Sequence, residues 1–217
     1  MTTIRVRFTK RGEAAYISLL DLQRVMGRSL KRSGLPVYYT QGFNPHIYMT
    51  FAVPLSLGQE SDCETMDFKT ELEELHWQRS VQALNACLPK GIVVTEMYKA
   101  ETDADEIAFA SYSIRFKDAD AAKAAADAYN AAAQAVVIKE GKRGKTKEVN
   151  LKEYLPSFTL RQAERQAVSQ WVLPAGNAFN VNPMLLIHYL EEHCSLPELS
   201  TEIIRTDVLT KSMEKFK

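Results

Sequence analysis

The sequence predicts an α+β fold built from two tandem ferredoxin-like modules, and three observations predict it. Residues 1–100 read as β-α-β-β-α-β, the split βαβ order. An acidic stretch poor in aromatics, ETDADE at 101–106, reads as a linker. A similar order of strands and helices then restarts and occupies 107–217, although no residue-level repeat joins the halves. The 217 residues suffice for two domains of about 100 residues, each able to bury a core.

In the first module, Ile4, Val6 and Phe8 alternate with Arg5 and Arg7, the period of a half-buried strand. Ser18 caps a helix whose apolar residues Leu19, Leu22, Val25, Met26 and Leu30 recur every 3.6 positions, and Gly34 with Pro36 stops it. Val37–Tyr39 and Tyr48–Val53 read as strands on either side of a Gly-Phe-Asn-Pro-His turn, with the first a lead-in to the second. Thr65–Glu71 alternates again, Trp77–Leu88 is a helix, and Gly91–Tyr98 closes the module as a strand.

In the second, Phe109–Phe116 is a strand, and the alanine-rich run Ala119–Ala135 is a helix on propensity alone. Strands follow at Val136–Lys139, Glu148–Tyr154, Ser157–Ala163 and Ala167–Leu173, with GKRGK at 141–145 as a hairpin tip. Asn182-Pro183 caps a helix that runs to about His193, and Glu202–Leu209 is the last strand.

A net charge of zero argues against a protein that coats nucleic acid generically, yet the zero conceals segregation. Residues 1–58 carry eight cations against Glu13 and Asp21, or +6, whereas 59–105 carry four against eleven acids, or −7. Cys63, Cys87 and Cys194 are too few and too scattered for a disulfide framework, and they read as reduced, mostly buried thiols. The amino terminus starts directly as a strand with no apolar signal core, and no segment approaches the ~20 apolar residues of a membrane span, so a cytoplasmic location without membrane partners is expected.

The richest stretch is 18–64. On a helix Arg24, Arg28, Lys31 and Arg32 gather within roughly 100° of arc, a surface suited to phosphate. The turn Tyr39-Thr40-Gln41-Gly42-Phe43-Asn44-Pro45-His46 offers two readings. In one it is a rigid loop made by a positive φ at Gly42, an Asx bond at Asn44 and the fixed φ of Pro45. In the other, Tyr39 and Phe43 stack an unpaired base while Gln41, Asn44 and His46 hydrogen-bond to it. Lys10, with Lys142, Arg143 and Lys145 of the second module's basic hairpin, completes the set of candidate phosphate contacts. His46 is also a candidate general base for metal-independent RNA cleavage with Tyr39, Tyr48 or Lys10. His188 and His193 lie five apart on a helix and point about 140° away from each other, which excludes a shared metal.

The string YISLLDLQRVMGRSLKRSGLPVYYTQGFNPHIYMTFAVPLSLGQESDCE, preceded by IRVRFTKRGEAAY, resembles the amino-terminal signature of the radical SAM-linked protein family, a bacterial domain. The likeness is strongest over 4–71 and looser beyond, through Val149-Asn150-Leu151 and the closing helix and strand. It implies a cobalamin-binding radical SAM protein and RNA as partners, since such domains are fused to or encoded beside that enzyme, often near a ribonuclease of the E/G type. Two positions depart from the pattern: Leu19 stands where the family usually has His, and Ile47-Tyr48 where it has Pro-Lys. The three cysteines cannot supply the CxxxCxxC ligands of a radical cluster, so the chain would accompany the radical enzyme and carry no cofactor itself. The expected function is therefore a non-catalytic accessory module that recognises or presents RNA, with a ribonuclease or a purely protein-binding adaptor as the alternatives.

Overall fold

The computed structural model describes residues 1–73, 75–140, 146–177, 179–198 and 200–217. It is an α+β protein with four α-helices among those residues. The chain divides into two compact units, Met1–Ile107 with Glu214–Lys217, and Ala108–Met213.

The first unit contains β1 (Thr2–Lys10), α1 (Leu19–Ser33), β2 (Met49–Ala52), β3 (Glu60–Thr70), α2 (Trp77–Asn85) and β4 (Ile92–Lys99). Its strands lie in the order β4-β1-β3-β2 and every neighbouring pair is antiparallel. Thus β3 sits between the strands that α1 connects, and β1 between the strands that α2 connects. The register pairs Ile4 with Phe68, Val6 with Met66 and Phe51 with Met66, and these side chains join Met26, Leu30, Leu84 and Val94 in one core.

Local chemistry fixes the helix ends. Ser18 Oγ accepts the Asp21 N–H at 3.1 Å and donates to its carboxylate at 2.7 Å, while Gly34 ends α1 in the left-handed region at φ 71°. α2 ends at Asn85, three residues short of the predicted Leu88. Cys87 and Leu88 donate instead to carbonyls three residues back, tightening the last turn ahead of Pro89. The Asn85 amide then clamps β4: its Nδ2 donates to the Val94 carbonyl at 2.9 Å and its Oδ1 accepts the Val94 N–H at 2.8 Å. Val37–Tyr39 is not a strand. Pro36 has no N–H to open a ladder, and the segment contributes one bridge, Tyr39 to Ile47, with a bond from the Tyr38 N–H to the Lys69 carbonyl at 2.7 Å.

The second unit contains β5 (Ile107–Phe116), α3 (Ala119–Ala131), β6 (Val136–Glu140), β7 (Thr146–Asn150), β8 (Arg161–Ala163), β9 (Gln166–Pro174), α4 (Pro183–His193) and β10 (Thr201–Thr210). Its order is β10-β5-β9-β8, with β6 and β7 paired as a separate hairpin. Ala122, Ala125 and Ala126 let α3 approach closely, and Tyr129, Phe158 and Trp171 fill the core with ring centroids 5.4–5.5 Å apart. The predicted helix to Ala135 stops at Ala131. The Asn150 carboxamide accepts the Ala135 N–H at 3.0 Å and the Lys152 N–H at 3.3 Å, which also ends β7 in a short 3-10 turn, Leu151–Glu153. The predicted strand Ser157–Ala163 shrinks to Arg161–Ala163, because the Asn130 amide takes both backbone groups of Phe158, at 3.1 and 2.9 Å.

Gly91 has φ 89°, and a Cβ there would lie 2.4 Å from the Arg11 carbonyl oxygen. Gly91→Ala is expected to cost about 2 kcal/mol or more, read as a lowered urea midpoint with an unchanged slope. Burial, with Tyr189 and Cys194 beside it, pushes the Tyr129 phenol well above its usual value, and its hydroxyl donates to the Leu155 carbonyl at 2.6 Å. A folded pKa above the unfolded value leaves this stabilisation complete below about pH 10 and removes it as pH rises toward the folded pKa. Unfolding free energy should therefore fall above about pH 10, and Tyr129→Phe should flatten that fall. The flattening is partial, since Tyr98 and Tyr189 are shifted in the same direction.

Candidate functional site

α1 buries Leu22, Met26, Ser29 and Leu30 and leaves Arg24, Arg28, Lys31 and Arg32 exposed, as a 3.6-residue repeat requires. The four cations are not equivalent. Arg24 Nη1 is spent on the Asp21 carboxylate at 3.1 Å, and Asp21 is held below its usual pKa first by the Ser18 hydroxyl and then by Arg24. Among the described residues, no hydrogen bond or ion pair engages Arg28, Lys31 or Arg32. Arg28 and Arg32 flank a groove of about 320 Å³ between α1 and the turn after α2.

Three other cations of residues 1–58 are engaged by groups of the first unit. Lys10 is 2% exposed and its Nζ donates to the Ala15 and Ile17 carbonyls, each at 3.2 Å, tying the end of β1 to the turn before α1. Arg11 bonds Glu60 at 2.8 Å and Asp62 at 2.5 Å. Arg5, also 2% exposed, forms a fork with Asp67 at 2.8 and 2.7 Å, reaches Thr102 at 3.3 Å, and lies 4.0 Å from the centre of the Phe216 ring. Sequence patterning placed Arg5 on a solvated strand face. The only available signal was that 59–105 holds the acids that 1–58 lacks, and the antiparallel register of β1 and β3 brings those two sets together.

The turn is a closed loop. The Thr40 N–H bonds the His46 carbonyl at 2.8 Å, and Thr40 Oγ1 accepts the His46 N–H at 3.1 Å. His46 Nδ1 lies 3.0 Å from Thr40 Oγ1 and 3.2 Å from the Asn44 carbonyl, so in either tautomer that nitrogen has a partner within the loop. Gln41, Gly42, Asn44 and Pro45 are exposed at the tip, Gly42 with φ 139°, and Tyr39 is 40% exposed. Phe43 is 105% exposed, its apolar ring open to solvent. Tyr48 is engaged by Lys69, whose Nζ lies 4.3 Å from the ring centre. The loop is thus closed by Thr40 and His46 rather than by an Asn44 side-chain bond, which is not among its hydrogen bonds in the described residues, and it presents Phe43 and part of Tyr39 outward.

In the second unit, Lys139 Nζ bonds the Asn180 carbonyl at 2.7 Å, and Lys152 bonds the Pro156 carbonyl at 2.9 Å and lies over Tyr129 at 4.4 Å. Both therefore have structural work. The predicted hairpin tip with Lys142, Arg143 and Lys145 lies outside the described residues. Cys63 and Cys194 are buried free thiols and Cys87 is half-buried. Among the described residues, no three His, Cys, Asp or Glu side chains are grouped to hold a metal, and no helix is long and apolar enough to cross a membrane.

A family model described as "Uncharacterized protein conserved in bacteria (DUF2344)" matches residues 3–183. The chain belongs to that family. The match spans most of both units and takes in α1, the loop and the groove. No curated protein matches the chain. A solved structure to which it is similar, the crystal structure of an unknown protein from Galdieria sulphuraria, shares 11% identity over 95% of this chain and 96% of that one, with a TM-score of 0.29.

Thr40 anchors both the backbone and the ring of His46, so Thr40→Val should release the loop without unfolding the unit. Amide exchange at His46 should accelerate, with a global stability loss of about 1 kcal/mol. Unchanged exchange would show that the loop is held by something else.

Proposed function

We propose that this chain is a non-catalytic binding module of two ferredoxin-like units, which recognises or presents RNA alongside a cobalamin-type radical SAM enzyme. The ferredoxin-like reading is supported by the strand orders β4-β1-β3-β2 and β10-β5-β9-β8, in which each strand-helix-strand connection is split by one intervening strand. On this reading the β6–β7 hairpin is an insertion in the second unit.

The observation that carries the RNA reading is the set of unneutralised cations on α1. Arg28, Lys31 and Arg32 lack partners among the described residues, whereas Arg5, Lys10, Arg11 and Arg24 of the same stretch, residues 1–58, are paired. A guanidinium row without acids attracts phosphate, and each phosphate it neutralises releases counterions. The exposed Phe43 ring supplies a stacking face of the kind that readers of single strands use. The radical SAM partner rests on the resemblance of residues 4–71 alone. The nuclease alternative has less to stand on: the Nδ1 of His46 is engaged inside its own loop, and among the described residues no second histidine is hydrogen-bonded to it.

A salt titration tests the reading. Single-stranded RNA should bind with log K falling by about 0.7 per phosphate contact for each tenfold rise in salt. Changing Arg24, Arg28 and Arg32 together to Glu should abolish binding at moderate salt. If the triple variant keeps both affinity and slope, α1 does not contact RNA. Affinity purification with the radical enzyme, sequencing nucleic acid from the same eluate, tests the partnership.

A further inference from the structure

We infer that the groove between α1 and the turn after α2 receives a single phosphorylated nucleoside, with its phosphate on Arg28 and Arg32 and its base over Leu88 and Pro89. This rests on the RNA-binding reading of α1 and names what the helix holds.

Val25, Arg28, Ser29 and Arg32 occupy successive positions along one stripe of α1, and the facing wall is Ala86, Cys87, Leu88 and Pro89. The lining joins apolar side chains to two arginines, and no acid among the described residues lines the space. Arg28 and Arg32 lie four residues apart on the helix, a spacing at which like charges repel, and no acid among the described residues relieves them. An anion between them would. The volume of about 320 Å³ stands at the small end of ligand sites, large enough for a base and its phosphate. The site is also built to keep its shape: Ser29 Oγ donates to the Cys87 carbonyl at 3.0 Å, tying α1 to the facing turn. Apolar side chains below a base and arginines at its phosphate are the elements by which unpaired nucleotides are held. The same chemistry fits a nucleotide within a strand or a free mononucleotide.

A competing role for these arginines is structural. α2 has no basic residue in its own last turn, so Arg28 and Arg32 are placed to offset the negative end of its dipole. The two roles predict different readouts.

Cys87 lies in the wall and is half-buried, whereas Cys63 and Cys194 are buried, so its alkylation by N-ethylmaleimide reports occupancy without a mutation. The intact protein is probed with a short single-stranded RNA, the same strand carrying abasic sites, and adenosine monophosphate. Under the inference, RNA slows Cys87 alkylation and binds about tenfold tighter than its abasic form. Ala86→Trp fills the groove at an exposed position with ordinary helical backbone. It should abolish the protection of Cys87 and reduce that preference while the salt slope stays, because every cation remains. If RNA binds with the expected salt slope but leaves Cys87 unprotected, and Ala86→Trp does not change its preference over the abasic strand, the groove inference falls and the RNA reading stands. If adenosine monophosphate protects Cys87 while neither strand binds, the groove holds a free nucleotide and the RNA reading falls. If no probe binds, and Arg28→Gln with Arg32→Gln only lowers the melting temperature, the structural role is the true one and the inference is overturned.

Discussion

A guanidinium held at 2% exposure in a central strand must be fully partnered, and that requirement at Arg5 organises much of the first unit. Removing such a charge from water costs several kcal/mol unless close opposite charge and hydrogen bonds replace the lost hydration. Asp67 on β3 supplies the bidentate fork, and Thr102 adds a bond. Phe216 covers the remaining face with its ring. Each partner comes from a different part of the chain, so the ion selects the register of β1 on β3 and returns the last residues to this unit. Thr102 also receives that return, its N–H donating to the Lys217 carbonyl at 3.0 Å and its hydroxyl to the same oxygen.

The same pairing explains what happens to the charge asymmetry along the chain. An excess of +6 followed by −7 suggests a cationic half and an anionic half. Antiparallel pairing of β1 with β3 folds the two against each other, and Arg5 and Arg11 find Asp67, Glu60 and Asp62. What survives is local. The cations of α1 project from a helix rather than the sheet, and among the described residues only Arg24 of the four meets an acid, Asp21 in the helix's own first turn. A cationic stretch that spans 58 residues in the sequence thereby leaves Arg28, Lys31 and Arg32 of α1 without partners among the described residues.

Two asparagines mark where periodicity misplaced the element ends. Asn85 closes α2 by grasping both backbone groups of Val94, and Asn130, near the end of α3, does the same to Phe158. In each case a side-chain amide stands in for a strand or helix partner, so the regular element stops earlier than the apolar pattern suggests. Propensity cannot foresee this, since the bonds span 9 residues in one case and 28 in the other. Alanine content likewise carried the predicted third helix to Ala135, whereas the Asn150 side chain claims the Ala135 N–H for a different turn.

Capping and spacing, which act within a few residues, were legible in the sequence. Ser18 and Gly34 bound α1, Asn182-Pro183 opens α4, and the 3.6-residue repeat puts Arg28, Lys31 and Arg32 on the exposed face. The loop's exposed tip at Phe43 followed from its turn residues in the same way. Tertiary structure alone decided that Lys10 is buried against carbonyls, that Arg5 is a structural ion, and that Arg28 and Arg32 face Leu88 and Pro89 across a groove. Those outcomes depend on which distant segments become neighbours, and hydration decides them: a charge that the fold removes from water must find partners, whereas one left in water need not.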